Sequence, residues 1–171
     1  MKKITFLLVV FLTATFSVYS QDSKGVTNPD DVGKRALDIL KKFENTSEIE
    51  FRNSMMTIEE VKEFVNKQED SAMGRMKEDI NKMDIAEYQK RVAKVYNDLK
   101  EKTKEFNIVW KDIEYVDFTY EVRNKRGLKG VEGEVFFKYK ETEYKVKTDA
   151  VKNGDVYMPV IVRSLRKKDD D

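Results

Sequence analysis

The stretch from Trp110 to Leu165 constrains the fold most, because polar and apolar residues alternate along its first three predicted strands, and a fourth strand, apolar on both sides, follows them. A period of two is typical of strands that bury one face of a sheet and expose the other. Turn residues interrupt the pattern at 124–127, at 141–143 and at Asn153-Gly154, the last being a strong type I′ hairpin signal. We therefore predict an antiparallel meander of four strands, at about 108–124, 128–140, 144–150 and 156–165.

The alternation also predicts which side chains face the core. In the fourth strand, Pro159 has no backbone donor, which favours an edge strand or a bulge. The predicted inner positions of the first three strands are Val116, Phe118, Tyr120 and Val122, then Val131, Val135, Phe137 and Tyr139, then Tyr144, Val146, Thr148 and Ala150.

Helical patterns precede the meander. Asn28 and Pro29 are typical of a helix start, and an apolar stripe follows to Phe43. Residues 47–56 alternate weakly, which indicates a strand or an extended link. Thr57 with Glu60 and Asp84 with Glu87 form two capping-box patterns. The box at Thr57 predicts the start of one kinked helix, or of two helices, that extend to residue 83. The box at Asp84 predicts the start of the longest helix. The predicted fold class is α+β, with N-terminal helices packed on one face of a curved four-stranded antiparallel meander.

The N-terminus has the pattern of a secretory signal peptide over residues 1–20. Lys2 and Lys3 precede an apolar run to Val18, and Val18 and Ser20 suit the −3 and −1 positions of a cleavage site. The run is shorter than a membrane-spanning helix requires. We expect an exported protein, periplasmic or secreted, with no membrane anchor after cleavage. Residues 21–27 are expected to be a flexible start, 28–166 a single domain and 167–171 a charged tail.

Composition narrows the possible chemistry. The chain contains no cysteine and no histidine, which excludes Ser-His-Asp, Cys-His and zinc-hydrolase chemistry. Loss of Lys2 and Lys3 with the leader changes the formal charge from +1 to −1, so no nucleic-acid partner is expected. We predict no cofactor and no metal. Five methionines, whose thioethers could bind Cu(I), fit better as part of the apolar stripe: Met55, Met56, Met73, Met76 and Met83.

The order of elements resembles small exported proteins with a cystatin-like or NTF2-like fold, many of unknown function. The segments that carry the resemblance are Phe51 to Val65 and Gly130 to Val162. The resemblance implies a curved sheet that wraps a helix or closes a cone around a pocket. Cystatins that inhibit proteases carry a Gln-x-Val-x-Gly hairpin, where this chain has Gly130-Val131-Glu132-Gly133. This departure speaks against protease inhibition.

Three hypotheses for function follow. In the first, an exported non-enzymatic domain binds an unknown small apolar ligand or a protein partner through the concave sheet face; the candidate ligand-binding residues are Tyr120, Tyr139, Tyr144, Thr148 and Met158. In the second, a cone-fold hydrolase or isomerase uses a buried carboxylate. However, Asp117 and Asp149 fall on the polar face of their strands, so no catalytic residue is assigned. In the third, a protein-interaction module uses an apolar sheet edge formed by Tyr157, Ile161 and Leu165.

Overall fold

The computed structural model describes residues 24–68, 74–125 and 128–170, so the predicted signal peptide lies outside the described residues. Helices precede a four-stranded antiparallel sheet of order β1-β2-β3-β4, which confirms the predicted α+β class. The α-helices of the described residues are α1 (Val32–Lys41), α2 (Glu48–Asn53), α3 (Ile58–Asn66), α4 (Arg75–Lys82) and α5 (Ile85–Glu105). The strands are β1 (Glu114–Lys125), β2 (Leu128–Tyr139), β3 (Thr142–Asn153) and β4 (Val156–Lys167).

Side-chain caps mark the starts of α2, α3 and α5. Thr57 accepts a hydrogen bond from the backbone N–H of Glu60, whose carboxylate accepts one from the backbone N–H of Thr57, and this confirms the predicted box. Ser47 and Glu50 form the same motif at the start of α2. The prediction of an extended segment at 47–56 is therefore wrong, because the cap at Ser47 favours a helix over the weak alternation that follows it.

The structure also bears on two other predicted boundaries, those of the helical region from 57 to 83 and the start of the first strand. The described residues of the region from 57 to 83 form two helices, α3 and α4, on either side of residues 69–73, which are not described. The first strand starts at Glu114 rather than near 108, because a short 3-10 turn (Trp110–Asp112) comes first. This turn buries Trp110 completely beneath the sheet.

The main core lies between the inner face of the sheet and helices α1 and α5. The inner positions predicted for the second and third strands are all buried, as the alternation requires. Among residues 114–124 of β1 only Phe118 is buried, whereas Val116 is 44% and Val122 is 61% exposed. The prediction for Val116 is wrong because the register shifts between Tyr115 and Asp117, which leaves Val116 as a bulge. Val122 lies on an edge strand, outside the main core cluster.

A second apolar cluster lies on the opposite face of the sheet. Met56, Phe64 and Val65 are buried there, around α3. These three residues are contacted by strand side chains that point away from the main core. These strand residues are Leu128, Val151, Met158 and Val160. The helices thus pack against both faces of the sheet, whereas the sequence predicted one.

The two ends of the domain are tied to the sheet. Val26, in the segment expected to be flexible, exchanges two backbone hydrogen bonds with Tyr157, of 3.0 and 2.7 Å. Residues 21–23 lie outside the described residues. At the other end, Lys167 belongs to β4, and Lys168 donates its backbone N–H to Glu143 O at 3.0 Å. The charged tail is therefore shorter than 167–171, because backbone pairing extends to Lys168.

Two glycines let α1 approach the sheet closely. A methyl group at Gly33 would lie 2.5 Å from Cγ of Phe118, and one at Gly133 would lie 2.7 Å from Cε2 of the same ring. Both distances are shorter than two carbon atoms can adopt without movement. The ring of Phe118 therefore occupies the space between helix and sheet that side chains at Gly33 and Gly133 would need.

We predict that Gly33→Ala destabilises the fold, although alanine is the better helix former. The helical preference is worth about 1 kcal/mol, and forcing a methyl group into a filled core costs about 1–3 kcal/mol. The expected net loss of unfolding free energy is about 1 kcal/mol, measured by urea denaturation. In a Phe118→Leu background the loss should shrink or change sign. An equal loss in both backgrounds would contradict the proposed contact.

A second prediction concerns pH. Burial raises the pKa of Glu60, but hydrogen bonds from Thr57 and Lys24 lower it by more, so the pKa lies below its ordinary value of 4.5. A carboxyl group whose pKa falls on folding stabilises the fold above the unfolded-state pKa, and this contribution is lost as the pH falls through the folded-state value. Glu60→Gln should therefore lower the free energy of unfolding at neutral pH.

The measurement is urea denaturation of both proteins at pH 7 and well below pH 4.5. The two free energies of unfolding should converge at acid pH, where the wild-type carboxyl group is also neutral. A difference that is the same at both pH values would show that the substitution disturbs packing rather than charge.

Candidate functional site

Three of the five predicted ligand-binding residues belong to the packed interior. Tyr139 is 7%, Tyr144 is 4% and Thr148 is 0% exposed. The hydroxyl of Thr148 donates to the backbone carbonyl of Ile161 at 3.2 Å. The ring of Tyr144 stacks on Phe137 with centroids 5.7 Å apart. These side chains therefore fill the space in which a ligand was expected.

The other two lie apart from them. Tyr120 is half-buried near the edge of the sheet, stacked on Phe118 at 4.9 Å, and its hydroxyl donates to the carboxylate of Asp30. This hydrogen bond raises the pKa of Tyr120. Met158 lies on the opposite face, in the second cluster. Its predicted inner position is wrong, because a bulge at Val160 reverses the alternation of β4.

Two bulges change the predicted sheet edge, because the one at Val160 places Tyr157 on the inner face and the one at Ser164 places Leu165 there. Tyr157 is 8% and Leu165 is 3% exposed, so both belong to the main core, and Ile161 is half-buried. The structure thus does not bring the five predicted residues into one pocket, nor does it expose Tyr157, Ile161 and Leu165 as a continuous apolar edge.

An open groove instead separates α5 from the last part of β4. Its volume is about 700 Å³. Its apolar floor is formed by Val95 of α5, by Phe106 directly after this helix and by Leu165 of β4. A bulge shapes the strand side, because two residues of β4, Ser164 and Leu165, oppose one residue of β3. Ser164 adopts a φ of 61°, which turns the strand at this point.

Charges of both signs surround the apolar floor. Four bases and four acids line the groove: Lys94, Lys102, Arg163, Arg166, Asp98, Glu101, Glu105 and Asp170. Lys102 is paired with Glu105 at 2.7 Å, and Arg163 reaches Asp149 on the outer face at 2.7 Å. Within the described part of the chain, Lys94, Asp98, Glu101 and Arg166 form no ion pair. These four groups are available to a ligand.

The sequence contained one signal of this groove. The apolar residues Val162 and Leu165 are three apart, which breaks the period of two and is typical of a bulge. The helix side gave no signal, since its charges have the pattern of an ordinary solvated face.

The buried part of the molecule offers little acid–base chemistry. Among the described residues, every aspartate and glutamate is exposed or half-buried, and the buried polar side chains are Lys145 and Thr148. No group of three or more acids is placed to hold a metal ion in residues 24–68, 74–125 and 128–170. The carboxylate that the cone-fold enzyme hypothesis requires is not found inside the described core.

Two further findings bear on the class of protein. In the described regions, no helix combines the length and the apolar character that crossing a membrane requires. Comparisons with protein families, with curated proteins and with solved structures found no match to this chain. The resemblance to cystatin-like and NTF2-like proteins therefore stays a prediction.

The position of Tyr139 generates a prediction. Because its ring is part of the main core, Tyr139→Ala should remove about 3–5 kcal/mol of stability, as large-to-small changes in a core do. Tyr139→Phe keeps the ring and should cost less than about 1.5 kcal/mol. Thermal and urea denaturation measure both variants. A fully stable Tyr139→Ala protein would contradict the core assignment and return Tyr139 to the candidate ligand site.

Proposed function

We propose that this chain is an exported, non-enzymatic binding domain that holds a segment of another polypeptide in the groove between α5 and β4. The observation that carries the proposal is the groove itself, with an apolar floor and charged groups of both signs that form no ion pair among the described residues. Export rests on the signal-peptide pattern of residues 1–20.

The filled interior favours the groove over the concave sheet face. Val135, Val146 and Thr148, at the centre of the inner face, are each 0% exposed. A ligand there would have to displace close-packed side chains, and cores of this density resist added volume. A volume of about 700 Å³ lies within the range of known ligand sites.

The chemistry of the groove suits a polypeptide better than a small apolar molecule. Val95, Phe106 and Leu165 offer contacts for apolar side chains. Lys94 and Arg166 can bind carboxylates, and Asp98 can bind a lysine or an arginine. A segment that alternates apolar and charged residues would satisfy both features, whereas a purely apolar ligand would leave these charges partly desolvated and unpaired.

The proposal predicts that charge reversal in the groove weakens peptide binding. Short random peptides would be selected against the protein by display, and their Kd measured by fluorescence anisotropy. The variant Glu101→Lys/Arg166→Glu reverses two groove charges and leaves the net charge unchanged. Each lost surface contact is worth up to about 1 kcal/mol, so the expected Kd increase is roughly tenfold.

The matched control is Asp79→Lys/Lys90→Glu, which makes the same kind of exchange at exposed positions outside the groove. Its Kd should equal that of the wild type. Selected peptides that bind the groove variant as tightly as the wild type, or a failure to select any peptide, would refute the proposed site.

A further inference from the structure

The two edges of the sheet differ in how they are protected. At the β4 edge, Val26 pairs with Tyr157, and the backbone N–H of Met56 donates to Pro159 O at 2.9 Å. Pro159 itself offers no donor, and bulges at Val160 and Ser164 bend the strand. Proline, bulges and covering segments are the devices by which proteins prevent an edge strand from pairing with another chain.

Of these devices, the described part of the β1 edge has one bulge, at Val116 near its start. Among the described residues, no backbone group of 117–124 forms a hydrogen bond beyond the ladder that pairs β1 with β2. The segment from Asp117 to Arg123 contains neither proline nor lysine, and its register with β2 is regular. In an antiparallel strand, every second residue directs its N–H and C=O away from its neighbour. The β1 edge therefore presents free donors and acceptors.

Exposed apolar side chains follow the same edge. Five large apolar residues in the described part of the chain are exposed, and three of them belong to β1: Tyr115 at 38%, Val116 at 44% and Val122 at 61%. An exposed, regular and partly apolar edge strand is a site of strand addition.

The charges of β1 select a second copy of this chain as the added strand. Asp117 lies near one end of the regular segment and Arg123 at the other. In an antiparallel pair with a two-fold axis at Tyr120, each Asp117 lies opposite the Arg123 of the other copy, and each Phe118 opposite Val122. An in-register parallel pair would instead oppose like charges, which is unfavourable. A two-fold axis also closes the assembly at two copies.

Arg123 keeps its existing contacts in this arrangement. It binds Glu132 of β2 at 2.8 Å and Glu121 of its own strand at 3.6 Å, and about half of its side chain remains exposed. A guanidinium group has five donors, so it can bind Glu132 and the carboxylate of a second copy together.

We propose that two copies of this protein associate through antiparallel pairing of β1 with β1, to form a continuous eight-stranded sheet. The interface is one strand wide, so the dimer should be weak and reversible. It does not involve the groove between α5 and β4, which remains open in the dimer.

Sedimentation equilibrium over a range of concentrations tests the proposal. The wild type should show a monomer–dimer equilibrium. Val122→Lys should raise the dissociation constant about tenfold or more. The substitution replaces the apolar contact between Val122 and Phe118 of the other copy by a lysine, and it does so twice in each dimer. The control Ile49→Lys, at a position 58% exposed in α2, should leave the dimer unchanged.

A charge swap tests the register. Asp117→Arg places an arginine opposite Arg123 of the other copy and should weaken the dimer. Arg123→Asp places an aspartate opposite Asp117 of the other copy and should weaken it as well. The double variant Asp117→Arg/Arg123→Asp should restore it. Circular dichroism melting confirms that each variant is folded. A wild type that is monomeric at all concentrations, a dimer that Val122→Lys does not weaken, or a double variant weaker than both single variants would overturn the proposal.

Discussion

The packing of Trp110 joins the two halves of this molecule, and the rest of the structure depends on it. The indole is fully buried and contacts Phe43 after α1 and Phe137 of β2, with ring centroids 6.0 and 5.6 Å apart. Its ring N–H donates to Thr103 Oγ1 of α5 at 3.0 Å, so burial leaves no polar atom of this side chain unsatisfied. One residue between helix and sheet thus fixes α1, α5 and β2 relative to each other.

Bulges decide what the sheet exposes. In β1 the bulge at Val116 exposes an apolar side chain that strict alternation would have buried. In β4 the bulge at Val160 buries Tyr157 and moves Met158 to the other face, where it contacts the second cluster. Since one extra residue reverses every later side chain, a few local irregularities redistribute the apolar surface of the whole strand.

The two surfaces proposed for association differ in kind. The groove between α5 and β4 combines an apolar floor with side-chain charges, so its selectivity would come from side chains. The β1 edge offers mainly backbone groups, and its proposed selectivity for a second copy would come from the placement of Asp117 and Arg123. Because the two surfaces do not share residues, binding at one leaves the other accessible.

The sequence by itself determined the α+β class, the four-strand meander, the caps at Thr57 and Asp84 and the inner faces of β2 and β3, because these follow from local hydrogen bonding and side-chain periodicity. Only the tertiary structure decided that Tyr139, Tyr144 and Thr148 fill the core, that Met158 lies on the other face and that a groove opens beside Leu165. These outcomes depend on bulges and on helix placement. Both are set by contacts between residues far apart in the chain, which local periodicity does not encode.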